Sequence, residues 1–332
     1  MNVEPGDAEI YLSRVTEQHR RLIPSERISA TRGSLRTGQI HHGRYRLMAN
    51  APGHAPVQMP VMLERMASVD IDIQLRSREE IPEEFVFVPE GGGVTGKPEK
   101  SHSQQDRIEL GDFAILRTPV TCKEYVRFLN DLATDDLQSA QRHAPRTSEE
   151  ASSYFPLVDG RFVVPKEDLD GDAWNPQWPI CMVNHEDATA YAQWYGDKFG
   201  LPVRLPTSRE WEKAARGIDY RLYPWGNHFD PSFCRMRETT DGFSFPAPVG
   251  SYPDDTSPYG VQDMAGNICE WTSTPHESSP GTYLLRGGSY NSFPLMCRLD
   301  WYLNGPATYR HSHYGFRLVL ELSPRRGGRA LV

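Results

Sequence analysis

The stretch PYGVQDMAGNICEW, Pro258 to Trp271, constrains this chain more than any other. Gly266 allows a tight turn, and the carboxylates of Asp263 and Glu270 and the amide of Asn267 crowd around it. Such a mixture wraps backbone round a cation or a buried polar hub, because carboxylate and carbonyl oxygens are hard donors and glycine lets the backbone approach closely. Leu285-Arg286-Gly287-Gly288-Ser289 and Gly315-Phe316-Arg317-Leu318 complete the pattern. They read as short strands with glycine where a neighbouring backbone crosses.

Further motifs occur in a fixed order before this stretch: Pro119-Val120-Thr121, Leu205-Pro206-Thr207, Glu210-Trp211-Glu212 and Tyr223-Pro224-Trp225-Gly226-Asn227. Taken together, residues 82 to 322 resemble the formylglycine-generating-enzyme (sulfatase-modifying-factor) domain, a version of the C-type lectin fold. The resemblance implies an α+β domain. It leaves the activity open, because that family holds copper oxidases, iron-dependent sulfoxide synthases and domains that only bind.

A chain of 332 residues with 38% apolar and 11% aromatic content is globular and long enough for two domains. Its net charge of -8 and the lack of a basic stripe with interleaved aromatics argue against a nucleic-acid surface. No apolar run approaches the roughly 20 residues of a membrane span. The N-terminus MNVEPGDAEIYL reads as carrying no export signal. The 5 cysteines, Cys122, Cys181, Cys234, Cys269 and Cys297, form no CxxC, which fits a reducing compartment and a cytoplasmic protein.

Residues 1–80 differ in texture. Val69 to Leu75 alternates apolar and polar as a half-buried strand does, and Glu9–Leu12, Tyr45–Ala49 and Val57–Leu63 read as further strands. This small β-sandwich resembles a PEGA-type domain in Glu4-Pro5-Gly6-Asp7-Ala8, Gly43 to Leu47 and Ala51-Pro52-Gly53-His54. In some bacterial chains such domains connect a protein kinase to a formylglycine-type domain, so a regulatory C-terminal part of a kinase system is one alternative. No glycine-rich phosphate loop or His-Arg-Asp triplet occurs here. His19, His41, His42 and His54 lie in strands and turns, not one turn apart on long helices as an iron triad requires.

The second domain starts at Phe85–Pro89 as a strand; Gly91 to Gln105 reads as a loop and Phe113–Leu116 as a strand. Thr121 with Glu124, and Thr207 with Glu210, predict capping boxes opening helices whose inward faces carry Tyr125, Phe128 and Leu129, and Trp211, Ala214 and Ala215. A helix from about Asn184 to Phe199 ends at Gly200, with Ala188, Tyr191, Ala192 and Tyr195 as its apolar stripe. Thr134 to Glu150 reads as a polar insertion, and Phe155 to Val164 as a hairpin turned at Asp159-Gly160. Asp168, Asp170 and Asp172 read as a solvated acidic turn, since no glutamate closes a calcium loop there. Residues 323–332 form a short basic tail.

The family resemblance implies a calcium ion held by the side chains of Asp263 and Glu270 and the carbonyls of Gly266 and Ile268. For copper catalysis it implies two cysteines, at positions 292 and 297. Here they are Ser292 and Cys297, and a hydroxyl is a poor Cu(I) ligand, so copper is not expected. The family's active-site tryptophan is replaced by Cys269. A displaced thiol pair of Cys269 and Cys297 would rescue an oxidase, with Cys297 as the surviving thiolate and Ser289 beside the oxygen pocket.

Between these framework segments lie Tyr290, Asn291, Phe293, Asp300, Trp301, Tyr302, Asn304, Tyr309, His311, His313 and Tyr314. Large amphipathic side chains with polar partners on a rigid scaffold compose a binding surface. In the family's display proteins, including variable proteins of diversity-generating retroelements, this segment contacts ligand. Every residue from Leu299 to Tyr314 except Trp301 is obtainable from an asparagine codon altered at its adenines. The sequence therefore favours a non-catalytic protein that presents residues 290–314 to a protein or glycan ligand on a calcium-stabilised scaffold. The alternative is an oxygen-dependent cysteine oxidase.

Overall fold

The computed structural model describes residues 1–96, 106–167, 171, 173–239 and 245–324. The acidic residues Asp168, Asp170 and Asp172 and the tail beyond 324 lie outside them.

Six strands make up the N-terminal region: β1 (Asn2–Glu4), β2 (Glu9–Gln18), β3 (Arg21–Arg32), β4 (Gly43–Asn50), β5 (Val57–Leu63) and β6 (Asp72–Gln74). β2 to β5 form an antiparallel sheet in the order β3-β2-β4-β5, while β1 and β6 pair in parallel. Ile10 and Leu12 on β2 and Tyr45, Leu47 and Ala49 on β4 point to one buried face, the period of two that the sequence showed. The alternation from Val69 to Leu75 buries Ile71, Ile73 and Leu75, although only Asp72–Gln74 are paired as a strand. β3 carries no such signal: it is the sheet's edge, its residues are mostly half-exposed or exposed, and Pro24 is tolerated there because an edge strand leaves N–H positions unpaired.

The rest of the chain continues with β7 (Phe85–Val88), β8 (Gly91–Thr95), β9 (Asp106–Leu110), β10 (Phe113–Leu116), α1 (Cys122–Asp135), α2 (Leu137–His143), β11 (Leu157–Val158), β12 (Arg161–Phe162) and α3 (His185–Phe199). After these come β13 (Val203–Arg204), α4 (Ser208–Arg216), β14 (Cys269–Pro275), β15 (Thr282–Arg286), β16 (Tyr302–Pro306), β17 (Tyr314–Gly315) and β18 (Val319–Glu321). One sheet runs β13-β18-β10-β7 and a second β16-β15-β14-β17. Gly91–Thr95, expected as loop, is a strand paired with β9, and the polar stretch after Thr134 contains α2. α2 escaped the pattern because Ala140 is its single buried residue; the Asp136 side chain starts it by accepting from the Ser139 N–H.

The expected capping boxes are present at Thr121/Glu124 and Thr207/Glu210, and α3 adds one at Asn184/Asp187 before ending in left-handed Gly200. α1 and α3 meet through Tyr125 and Tyr191, whose rings stack 5.6 Å apart, and Tyr191 also meets Phe316 at 5.3 Å. One apolar core is continuous from Val3, Ile10 and Leu47 through Ile73 and Phe85 to Trp271 and Leu320, so the N-terminal strands share it with the rest. The β2–β3 hairpin reaches onto the tryptophan loop, where Leu22 N–H donates to the Trp225 carbonyl at 2.6 Å.

Candidate functional site

Glu270, Trp211, Arg286 and Arg317 come from four motifs far apart in the chain, and the fold gathers them into a buried polar hub. Arg317 donates through Nε to Glu270 Oε2 (2.6 Å) and through Nη2 to Oε1 (2.8 Å), and Trp211 Nε1 donates to the same Oε2 (3.1 Å). Both ions are 0% exposed. The remaining guanidinium N–H groups reach the carbonyls of Leu116, Arg117, Gln262 and Asp263, so Arg317 holds residues 116–117, 262–263 and Glu270 together. Glu212 plays the same part for Arg286 (2.7 Å) and Arg216 (3.0 Å). An opposite charge for every buried ion is what makes such burial tolerable.

Beside the hub, Asp263 and Asn267 take left-handed backbone (φ 56° and 68°), and a Cβ at Gly266 would lie 2.3 Å from the Arg235 carbonyl oxygen. Only glycine fits that position. Asp263 Oδ2 accepts from the Gly250 N–H at 2.8 Å. Asp255, which sequence reasoning missed, accepts from the N–H groups of Met264, Ala265 and Gly266 and organises the turn from outside it. Burial first, then the charge of Asp263, pushes the Asp255 carboxyl up to about 8. As calcium donors, Asp263 and the Gly266 and Ile268 carbonyls have the right hard-oxygen chemistry, but Gly266 O already accepts from Ile268 N–H and Glu270 is the counter-ion of Arg317. Calcium at this turn would share Glu270 with Arg317.

Cys297 is fully buried in an apolar cluster with Tyr223, Trp225, Cys234, Met236 and Ala265. Ser292 does not offer its hydroxyl to that thiol: Ser292 Oγ accepts from Ser289 N–H (2.8 Å) and lies 3.1 Å from Ser289 Oγ, closing a turn. Ser289 is thereby a structural residue of this turn. The copper pair of the related oxidases therefore does not fit here. The anticipated rescue by Cys269 is also corrected, because Cys269 belongs to another cluster with Ile268, Trp271 and Leu285, and the thiol beside Cys297 is that of Cys234. Contact with Cys297, then burial, holds the Cys234 thiol far above its ordinary range. The Cys234 thiol is therefore a neutral side chain in an apolar pocket.

The segment from Tyr290 to Tyr314 divides into inward and outward residues. Asp300, expected on the surface, is buried in a bidentate pair with Arg298 (2.9 and 2.7 Å), because leaving Arg298 unpaired beside the core would be costly. Tyr290 is buried as well, with its hydroxyl on the Ser312 carbonyl and its ring edge-on to His313 at 4.9 Å. His311 links His313 (4.5 Å) to Tyr314 (5.1 Å), and Tyr309 lies 6.0 Å from Tyr314. Tyr309, His311, His313 and Tyr314 form one partly exposed aromatic patch backed by the buried Tyr290 ring. Burial and the neighbouring His311 push the His313 imidazole down to about 4, so both imidazoles are neutral. Tyr302 and Asn304 project from the sheet-edge strand β16, and Phe293 is exposed elsewhere, under the Arg237 guanidinium. Asn291 and Trp301 are half-buried.

Sequence reasoning also missed what holds the patch. Arg310 is buried, ion-paired with Asp187 and bonded to the Arg142 carbonyl at 3.1 Å. Backbone bonds from Met182 N–H to His311 O and from Cys269 N–H to His313 O pin the loop further. Arg310 and Asp187 are separated by 123 residues, which no local pattern reveals.

Among the described residues no helix is long and apolar enough to cross a membrane. The family model described as "Sulfatase-modifying factor enzyme 1-like domain" matches residues 72–322. The formylglycine-generating enzyme of Thermomonospora curvata is 31% identical over 240 residues, covering 62% of this chain and 76% of that protein. The inactive C-alpha-formylglycine-generating enzyme 2 of Bos taurus is 30% identical over 211 residues, 55% of this chain and 67% of that one. Among solved structures, PvdO from Pseudomonas aeruginosa superposes with a TM-score of 0.57 at 22% identity, covering 72% and 94% of the two chains. The fold is the C-type lectin type found in formylglycine-generating enzymes.

Proposed function

Because the chain belongs to the sulfatase-modifying factor enzyme 1-like family yet carries Ser292 in place of the first copper thiol, we propose that it is a non-catalytic binding protein. It presents the Tyr290–Tyr314 segment to a protein or glycan ligand. The observation that carries this reading is the aromatic patch of Tyr309, His311, His313 and Tyr314, half-open to solvent while its loop is clamped from behind by the buried Arg310–Asp187 pair. A rigid platform with neutral, amphipathic rings binds at low entropic cost. Ring faces of this kind stack on sugars or on peptide side chains. The existence of an inactive relative is consistent with the same scaffold outliving its chemistry.

If the segment is diversified by a retroelement, the buried anchors limit it. Arg310, Asp300, Leu299 and Gly305 are buried and hold the fold, whereas Tyr302, Asn304, Thr308 and Tyr309 are exposed and free to vary. Binding to a glycan array and a displayed peptide library tests the reading. Tyr309→Ala and His313→Ala should each weaken capture about tenfold without moving the melting temperature by more than a few degrees.

The contact of Cys234 with Cys297 supports a second reading, an oxidase with a displaced soft-metal pair. Stoichiometric Cu(I) binding lost in Cys297→Ala, together with oxidation of a cysteine peptide, would replace the binding reading with this one. Calcium belongs to the first reading, held at Asp263, Gly266 and Ile268 with Glu270 shared. Adding calcium should raise the melting temperature of the wild type and leave Asp263→Asn unmoved; equal behaviour of the two proteins would remove calcium from the proposal.

A further inference from the structure

Between the β2–β3 hairpin and the tryptophan loop lies a cavity of about 210 Å³, which shares no lining residue with the aromatic patch. Its walls are apolar at Ile23, Pro60 and Trp225, but its polar lining is unbalanced: Arg21, Arg44, Arg46 and Arg221 face Asp219 and Asp254. Arg221 is satisfied by both oxygens of Asp219 (2.8 and 2.7 Å) and the Pro224 carbonyl. Arg44 Nε stands 3.2 Å from the same Asp219, already neutralised by Arg221, and Arg21 pairs with Asp254 at 2.8 Å. Arg46 has no acidic partner among the described residues, and the Nε atoms of Arg21 and Arg46 are buried without a hydrogen-bond acceptor. Partial burial, with no partner to offset it, lowers the Arg46 pKa.

We propose that this seam binds a small phosphate monoester, with Arg46 as its principal contact and Arg44 and Arg21 flanking it. Four guanidinium groups against two carboxylates leave two positive charges over, which a phosphate dianion neutralises. Planar N–H forks match phosphate oxygens bidentately, and apolar walls strengthen the attraction by excluding water. The volume also fits. A water occupies about 30 Å³ of liquid, so the cavity has room for a phosphate and a few carbon atoms besides. Because the ligand would touch both the hairpin and the tryptophan loop, binding would tighten the junction between the N-terminal strands and the lectin-type domain. This inference does not depend on what the aromatic patch binds.

The test is calorimetric titration of the full chain, freed of phosphate and sulfate, with inorganic phosphate and with glycerol 3-phosphate at constant ionic strength set by chloride. Saturable binding of both is expected, glycerol 3-phosphate being the tighter. Arg46→Gln should weaken both by about tenfold or more, Arg46→Lys should fall between, and Arg127→Gln, an exposed change on α1, should leave them unchanged. In phosphate-free buffer Arg46→Gln should melt no lower than the wild type, because it removes a half-buried charge that has no acidic partner among the described residues; this separates lost binding from lost folding. No saturable binding of either probe, or equal binding by Arg46→Gln and Arg127→Gln, would overturn the proposal.

Discussion

Glu270 shows how a single residue's role depends on a partner the local sequence does not announce. Its carboxylate sits in a turn that reads as a cation site, yet Arg317, 47 residues later, is the charge it meets. Removing one member of a fully buried pair strands the other, so Glu270→Ala should cost about 3–5 kcal/mol. The double change Glu270→Leu with Arg317→Met should be less damaging than the sum of its parts, because no charge is left alone. Urea denaturation of the four proteins measures this, and additive costs would show that the pair is not coupled. His185 makes a pH prediction. Its ring stacks on Tyr283 with centroids 3.6 Å apart, its Nε2 is buried without a hydrogen-bond partner, and burial pulls its pKa from 6.5 to about 4. The folded state thus refuses a proton that the unfolded chain takes up. The histidine's contribution is complete above pH 6.5 and is lost as pH falls towards 4, so stability rises with pH across that window. His185→Phe keeps the stack and should flatten this part of the profile; an unchanged slope between pH 4 and 6.5 would rule His185 out as its source.

At the scale of elements, the display segment is a loop whose order comes from behind it. Arg310→Ala removes the partner of Asp187, which also caps α3 and lies 2.9 Å from His143. Amide exchange should accelerate across residues 306–313 and at the start of α3, while β14 and β15 stay protected; uniform exchange across the molecule would mean global rather than local loosening. The same contrast explains which elements were legible in the sequence. Helices α1, α3 and α4 declare themselves through Thr121/Glu124, the Asn184 to Gly200 span and Thr207/Glu210, because a cap and a periodic stripe are written within a few residues. Edge strand β3 and the short α2 bury too little to imprint a pattern. In the candidate site, Tyr309, His311, His313 and Tyr314 lie close in sequence, and their rings are neighbours in the fold. The burial of Asp300, the Arg317 partner of Glu270 and the neighbour of Cys297 were not legible, because each is defined by a partner elsewhere in the sequence or by the direction in which the backbone turns it.

The whole molecule behaves as one folding unit if its core is a guide. The apolar cluster passes without a break from the N-terminal strands into the lectin-type domain, and Arg76 ties the two chemically by binding Asp112 at 2.7 Å and the Ser323 carbonyl at 2.9 Å. The β2–β3 hairpin adds Arg21–Asp254 and the close backbone contact of Leu22 with Trp225. Gly226 is the tight point of that contact: its φ is 147°, and a Cβ there would lie 3.3 Å from Leu22 Cγ. An L side chain at that backbone angle is strained wherever the neighbours move, so Gly226→Ala should cost more than about 1 kcal/mol. Because the strain falls on a junction within a shared core, the loss should appear as an earlier but still single melting transition, with tryptophan fluorescence and far-ultraviolet circular dichroism moving together. A first transition seen by circular dichroism alone, with the tryptophan signal retained to higher temperature, would mean that the N-terminal sheet unfolds by itself and that the continuous core is two cores touching.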